Sequence, residues 1–212
     1  MVKFYVRTTL ERKLDKSFSQ IEYELLVDKE HNARKSFVEQ LEYLATLDDD
    51  VVILEDDIIL CRDFLTKINN AIEKYKENII NFFYSPNKYI KTQLQYAFCW
   101  NQCVYYPNKV LKLLAKEMRK WYTKMPNRPH DEVENIALTS LKLGNVVYRP
   151  CLVQHIDNNS LIGTSSKRRT PFFIDYVEDM GLDYNSLTYA NGMFELRGYA
   201  NKKFKELDEL KI

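Results

Sequence analysis

The sequence predicts an α/β protein, a single domain over 1–212 with a mostly parallel central sheet flanked by helices. Three observations carry this expectation. Apolar runs of strand length alternate with stretches of helical period. One of those runs, Val-Val-Ile-Leu at 51–54, is continuous, as in a central strand covered on both faces. The chain has only 5 Gly and 6 Pro in 212 residues and no low-complexity linker or repeat that would divide it.

Taken in order, Lys3–Thr8 and Ile21–Asp28 are β-rich and read as two strands, the second running into the turn-like Lys-Glu-His-Asn. From Arg34 to Leu47, Phe37, Val38, Leu41, Leu44 and Ala45 recur at helical spacing, and Asp48–Asp50 ends that helix. The strand at 51–54 follows at once and runs into Glu55-Asp56-Asp57. Residues 62–77 read as a helix, 79–84 as a strand and 94–106 as an aromatic-rich extended stretch. Pro107 opens a helix whose apolar positions are Val110, Leu111, Leu114, Met118 and Trp121, and which stops before Pro-Asn-Arg-Pro at 126–129. A further helix begins near Asp131, placed to cap it; Val133, Ile136, Ala137 and Leu141 form its stripe, and Gly144 ends it. Segments 146–149 and 151–154 read as extended and lead to His155. After about residue 165 the chain reads as irregular, closing in a terminal helix over 201–211 held by Phe204, Leu207 and Leu210.

Composition narrows the classes. With 31 Lys+Arg against 30 Asp+Glu, 45% hydrophobic and 29% charged residues, this reads as an ordinary soluble globular chain, not a general nucleic-acid coat or a strongly membrane-adsorbed protein. No segment approaches the ~18 consecutive apolar residues of a transmembrane span, and the first residues carry no apolar signal core, so the mature protein is expected to be the whole chain. Cys61, Cys99, Cys103 and Cys151 form no CxxC pair and lie in or beside apolar runs. They read as buried reduced thiols, with a disulfide or zinc site as the alternative, which places the protein in the cytoplasm. No GxGxxG or GxxxxGK[ST] occurs, which argues against dehydrogenases and P-loop enzymes, and no GxSxG appears either.

In a parallel sheet, ligands bind at the carboxyl ends of the strands, where Glu55, Asp56 and Asp57 stand. Like charges so close raise one another's pKa unless a positive group sits among them. A divalent cation meets that need; oxygen ligands suit Mg²⁺ or Mn²⁺, and an imidazole from His155 tilts the choice toward Mn²⁺. Read from the residues alone, Asp56 and Asp57 are equally well turn residues and caps on a solvated loop. His31 and His130 read as surface or turn residues.

Leu-Glu-Asp-Asp-Ile-Ile-Leu at 54–60 resembles the acidic DXD-type motif of glycosyltransferases of the GT-A fold. The similarity continues through 97–118, like the strand-to-helix segment under their acceptor site. At 130–163 the order acid, helix, Gly, strand, Pro150, Gln154-His155 and Ser160 resembles the lipopolysaccharide-type and N-acetylglucosaminyltransferase branches. The resemblance covers most of 50–165. It implies a Rossmann-like GT-A domain, with 1–93 binding the nucleotide sugar, 94–165 holding the acceptor and catalytic part, and 166–212 as an extension. It implies a metal-dependent transfer from a nucleoside-diphosphate sugar, UDP-linked, to a hydroxyl of a glycan or of a hydroxymethylated DNA base, as in some viral enzymes.

Residue by residue, the resemblance implies Asp57 on the metal, Glu55 or Asp56 at the metal or ribose, and His155 as the third ligand. Asp131 or Glu132 would take the acceptor's proton if configuration inverts. Val6, Arg7, Thr8, Asp28, Asn32 and Arg34 are the positional candidates for base, ribose and phosphate. Lys167-Arg168-Arg169 is a basic loop for a diphosphate, a phosphorylated glycan or a nucleic-acid backbone, or a solvated turn. Tyr96, Phe98, Trp100, Tyr105 and Tyr106 are candidates for stacking on a sugar or base, although aromatic residues in such a run are more often core. The alternatives are a non-catalytic nucleotide-sugar or glycan-binding module, and a nucleotidyltransferase, whose expected Gly-rich loop is missing from Arg-Thr-Thr-Leu-Glu-Arg-Lys at 7–13. Oligomeric state is not legible.

Overall fold

The computed structural model describes residues 2–84, 92–95, 101–125, 127–156, 169–187 and 192–209. Strands β1 (Val2–Thr8), β2 (Glu24–Val27), β3 (Asp50–Glu55), β5 (Ile79–Asn81), β6 (Gln93–Gln95), β7 (Cys103–Tyr106) and β8 (Asn145–Val147) form one sheet in the order β2-β1-β3-β7-β5-β8-β6. Strands β1, β2, β3, β5 and β8 share one direction, and β7 and β6 oppose it. A two-stranded antiparallel sheet pairs β4 (Ile58–Leu60) with β9 (Val153–His155). This is an α/β protein with a mixed, mostly parallel central sheet. No helix of the described residues is long and apolar enough to cross a membrane.

Side chains alternate across each strand, so the two faces feed two cores. Tyr5, Val51, Ile53, Val104 and Tyr106 pack against α1 (Ala33–Leu44), α3 (Asn108–Lys124) and α4 (His130–Ser140). Phe4, Val6, Val52, Leu54, Cys103 and Tyr105 pack on the other side against α2 (Phe64–Tyr75), α5 (Ile174–Asp179) and α6 (Met193–Glu209). The predicted central strand at 51–54 is β3; its four apolar residues are at most 1% exposed because both faces are covered.

Several expectations are corrected. The second strand is shorter than 21–28, because Lys16–Gln20 closes as a 3₁₀ turn capped by Asp15 and buries Phe18 and Ile21. Helix α1 ends at Leu44, before the acidic run; Asp50 belongs to β3, and its carboxylate accepts the Asn108 N–H that opens α3 (2.8 Å). Helix α4 starts at His130 with Pro129 at its cap, so Asp131 lies inside the first turn, where its Oδ1 accepts the Glu132 N–H (3.0 Å). Its end is set by Lys142 at φ 56, with Leu143 N–H returning to Leu138 O and Lys142 N–H to Thr139 O. That bond pair is a Schellman closure, two residues before Gly144.

The chain after 165 is not irregular throughout. Phe172, Phe173, Tyr176, Val177, Leu196 and Ala200 join the core, and the last helix begins at Met193. Cys61, Cys103 and Cys151 are buried and unbridged; Cys99 lies outside the described residues.

Candidate functional site

The carboxyl edge of the parallel strands gathers the ends of β1 and β3 with the start of β7, which enters from that edge because it runs antiparallel. Here the acidic run divides. Glu55 is the last residue of β3 and continues the odd-numbered face toward α1, opposite Arg7 in the β1–β3 register. Arg7 donates from Nη1 to Glu55 Oε1 (2.5 Å), from Nε to Gln40 Oε1 (2.8 Å) and from Nη2 to the Ala33 carbonyl (3.2 Å), and its guanidinium lies over Phe37. Burial, with the Asp57 and Asp56 charges adding to it, pushes the Glu55 carboxyl up to about 7 against the opposing pull of Arg7.

Asp56 falls on the other face. Its Oδ2 accepts the Thr8 hydroxyl (2.7 Å), and its Oδ1 meets Arg12 Nη1 (3.1 Å). The same Arg12 nitrogen reaches Asp57 Oδ2 (2.9 Å), which also faces His155 Nε2 at 3.3 Å. The fold makes that last meeting through the small sheet. Ile58 pairs with His155, and Ile156 N–H donates to the Asp57 carbonyl (2.7 Å), so two segments almost a hundred residues apart are clamped side by side. Gln154 fixes the strand from behind: its Oε1 accepts the Thr170 and His155 N–H groups (2.9 and 3.1 Å), and its Nε2 donates to Thr170 O (2.8 Å).

The structure thus brings together Thr8, Asp56, Asp57 and His155, and sets Arg7 with Glu55 apart on the opposite face. Asp28 is near, since its N–H donates to Thr8 O (2.8 Å), but its Oδ1 closes the following turn by accepting from Glu30 and Asn32 N–H (3.2 Å each). The remaining nucleotide candidates serve the fold. Val6 is fully buried, and Asn32 caps α1 through the Lys35 N–H. Arg34 ties α1 to the end of α3 by donating to Tyr122 O (2.6 Å) and Met125 O (2.5 Å) while stacking on the Tyr122 ring.

Glu132 pairs with Arg128 on the surface (2.8 Å). His130 packs its ring on Phe37 at 4.8 Å, which holds the start of α4 against α1. Tyr105 and Tyr106 are core residues with 0% exposure. Arg169 is buried and donates to Phe204 O on α6 (2.7 Å), so it is no solvated turn. Tyr96, Phe98, Trp100, Ser160, Lys167 and Arg168 lie outside the described residues.

Two participants escaped the sequence reading. Arg12 stands in a loop beside Lys13, and nothing local separates the two. Glu134 is fully buried on α4, where its Oε1 accepts the Tyr106 hydroxyl (2.7 Å) and its Oε2 the Asn101 amide (3.0 Å). Burial pushes its carboxyl up to about 8, only partly opposed by those two bonds. Its signal was present: Glu134 lies one turn before Leu138, on the buried stripe of α4 with Val133 and Ala137.

Two carboxylates and an imidazole are a donor set that Mg²⁺ or Mn²⁺ accepts. By chemistry the residues fit such an ion. By placement, no three His, Cys, Asp or Glu side chains among the described residues converge as a metal site; the guanidinium of Arg12 lies between Asp56 and Asp57. The class that fold and site define is therefore an α/β protein with a compensated acid–imidazole cluster at the carboxyl edge of its sheet. No protein-family model matches the chain, and no curated protein matches it in sequence.

Proposed function

We propose that the chain is a metal-dependent glycosyltransferase of the GT-A type, moving a sugar from a nucleoside-diphosphate donor, UDP-linked, to a hydroxyl of a glycan or of a hydroxymethylated DNA base. The observation that supports this reading is the meeting of Asp57 with His155 across the β4–β9 pair, beside Asp56 and Thr8 at the strand ends. Departure of a nucleoside diphosphate develops negative charge, and a divalent cation supplies the neutralisation that this chemistry requires. Asp57 and His155 would hold it, with Asp56 turned to it by the Thr8 hydroxyl.

The chain's own groups do the rest. Thr8 fixes one Asp56 oxygen and leaves the other pointing at the cluster. Gln154 and the Ile156–Asp57 main-chain bond hold the imidazole against the Asp57 carboxylate. Asp131 or Glu132, in the first turn of α4 where the helix end favours a carboxylate, would accept the proton of the acceptor hydroxyl.

The test is a thermal-shift and hydrolysis screen of UDP-, GDP- and other nucleotide sugars with and without Mn²⁺, on the native chain and on Asp57→Ala. A donor and Mn²⁺ together should raise the melting temperature of the native chain and release nucleoside diphosphate slowly. Asp57→Ala should remain folded and lose both effects. A variant that still turns over sugar at the native rate removes Asp57 from the metal. No shift with any donor moves the reading to a non-catalytic module.

A further inference from the structure

We infer that the outer face of α3 is a docking surface for the phosphate backbone of duplex DNA. This surface is independent of the metal chemistry proposed above; within the proposed function it favours the DNA acceptor over the glycan. Lys109, Lys112, Lys116, Lys120 and Lys124 are all exposed, and at 3.6 residues per turn they fall within about a third of the helix circumference, opposite the buried Leu111, Leu114, Ala115 and Met118. Lys112 pairs with Asp48 (3.0 Å) and Lys120 with Glu117 (2.6 Å), whereas Lys109, Lys116 and Lys124 form no ion pair among the described residues. Asp48 is 96% exposed, so its pair is worth little and parts readily. Glu117 is turned inward, its side chain 15% exposed and its Oε1 shared with Trp121 Nε1 and the Ser140 hydroxyl (2.8 Å each).

The lysine stripe works against the helix that carries it. Helix α3 sets Glu117 as its one acid against these lysines and Arg119, in a chain whose totals of 31 basic and 30 acidic residues balance. Like charges four residues apart, as at 112, 116, 120 and 124, repel along an exposed helix. Lys109 sits in the first turn, where the helix end disfavours a cation and no acid offsets it. Arg119 differs: it ties α3 to α1 by donating twice to the Glu42 carboxylate (2.7 and 2.5 Å). The lysines serve no such packing, and an external polyanion supplies the negative charge that α3 lacks.

The chemistry of the face selects the occupant. Leu113 is the only exposed large apolar side chain of α3, so the face has neither the apolar stripe that an interfacial helix buries in lipid nor the desolvated apolar centre of a protein interface. Its aromatic rings are engaged, Trp121 by Lys120 and Lys124 and Tyr122 by Arg34 and Arg119, which leaves no free platform for the bases of a single strand. Ammonium groups are point charges that take phosphate without reading bases. The stripe runs ~22 Å along the helix, a length over which a duplex presents about a dozen phosphate charges. Thr123 carries the one hydroxyl on this face, and it donates to Arg119 O (3.1 Å), so nothing here is set to read the 2′-hydroxyls of RNA. The stripe also ends in the right place. Arg34, at the start of α1 beyond the carboxyl end of β2, holds Tyr122 O and Met125 O, which puts Lys120 and Lys124 at the same edge of the sheet as the candidate site.

The experiment follows the fluorescence anisotropy of a labelled DNA duplex of mixed sequence, about 20 base pairs long, with the full-length native chain from about 50 to 200 mM salt. Beside it stand the triple variant Lys109→Gln/Lys116→Gln/Lys124→Gln and a control triple, Lys16→Gln/Lys202→Gln/Lys205→Gln, of exposed lysines on elements packed against the other side of the sheet. The native chain should bind with log K falling against log salt at a slope of about −3 to −5; the α3 triple should weaken binding more than about tenfold and flatten the slope by about 2–3, and the control should change neither much. The α3 triple should melt no lower than the native chain, because it relieves repulsion, and this separates lost binding from lost fold. No salt-dependent binding by the native chain, or an equal loss in the two triples, overturns the docking surface and leaves the transferase reading, with its glycan acceptor, standing. Tighter binding of the native chain to duplex RNA or to phosphatidylserine vesicles than to the DNA overturns it in favour of that partner.

Discussion

Glu134→Gln is expected to raise stability at neutral and alkaline pH and to flatten its fall as pH rises. Glu134 has no exposed surface and lies between α4 and β7, with the Tyr106 hydroxyl on one oxygen and the Asn101 amide on the other. Burial raises its carboxyl to about 8, from the ordinary value of 4.5 that it has in the unfolded chain. Between those two values the folded protein keeps a proton that the unfolded chain has released. The stabilising contribution is therefore complete below the unfolded pKa and is lost as pH rises through the folded one, at up to about 1.4 kcal/mol per pH unit. Glutamine keeps the volume, accepts the Tyr106 proton at its carbonyl, and presents an amide that the unpartnered Asn101 Oδ1 can receive when that side chain turns over. Because the amide does not titrate, the stability difference between variant and native chain should grow by about 3–4 kcal/mol from about pH 5 to about pH 8.5. Urea unfolding at constant ionic strength measures it. Glu55, also raised by burial, tilts both proteins alike and cancels in the difference. A difference that does not change with pH, or that shrinks as pH rises, refutes the reasoning, because it means the Glu134 carboxyl is already ionised in the fold at about pH 5.

Two further outcomes are expected. Lys142→Gly should stabilise the protein by about 0.5–1 kcal/mol, because Lys142 is exposed and holds φ 56 at the close of α4, where glycine bears no Cβ penalty; an unchanged urea midpoint would count against it. Arg34→Ala should lower the unfolding free energy by about 2–3 kcal/mol through loss of two carbonyl bonds and the Tyr122 stack. It should leave nucleotide binding unchanged, which equilibrium titration with UDP checks; weakened binding would return Arg34 to the site.

What was legible in the sequence had local cause. The run at 51–54 announces a doubly covered strand because every residue of it is apolar, and α1 and α3 announce themselves by stripes three and four residues apart. The elements that were missed lack a period. Strand β4 is three residues long, and its pairing with β9 is set almost a hundred residues away. The insertion of antiparallel β7 between β3 and β5 is a fact of topology that no local pattern encodes. The candidate site divides the same way: Asp57 and His155 were visible as strand-end residues, whereas Arg12 enters only because the chain folds back over β1 and β3.

Glu55, Asp56 and Asp57 look like one chemical unit in the sequence, and the sheet separates them. Alternation sends Glu55 toward α1, where Arg7, held by Gln40 and by the Ala33 carbonyl, waits opposite it in register. Asp56 goes to the other face under the Thr8 hydroxyl, and Asp57, already in the turn, meets His155. The backbone partitions the three adjacent carboxylates, with Glu55 set on Arg7 on one face and Asp56 and Asp57 on Arg12 on the other, where His155 also faces Asp57. The same partition assigns chemistry within the proposed function. A cation arriving at the edge would meet Asp56 and Asp57 at the turn, where Arg12 reaches both. To recruit Glu55 it would have to break a pair built into the β1–β3 register and strand Arg7 against Phe37, so Asp57, His155 and Asp56 form the proposed metal set and Glu55 anchors the frame beneath it.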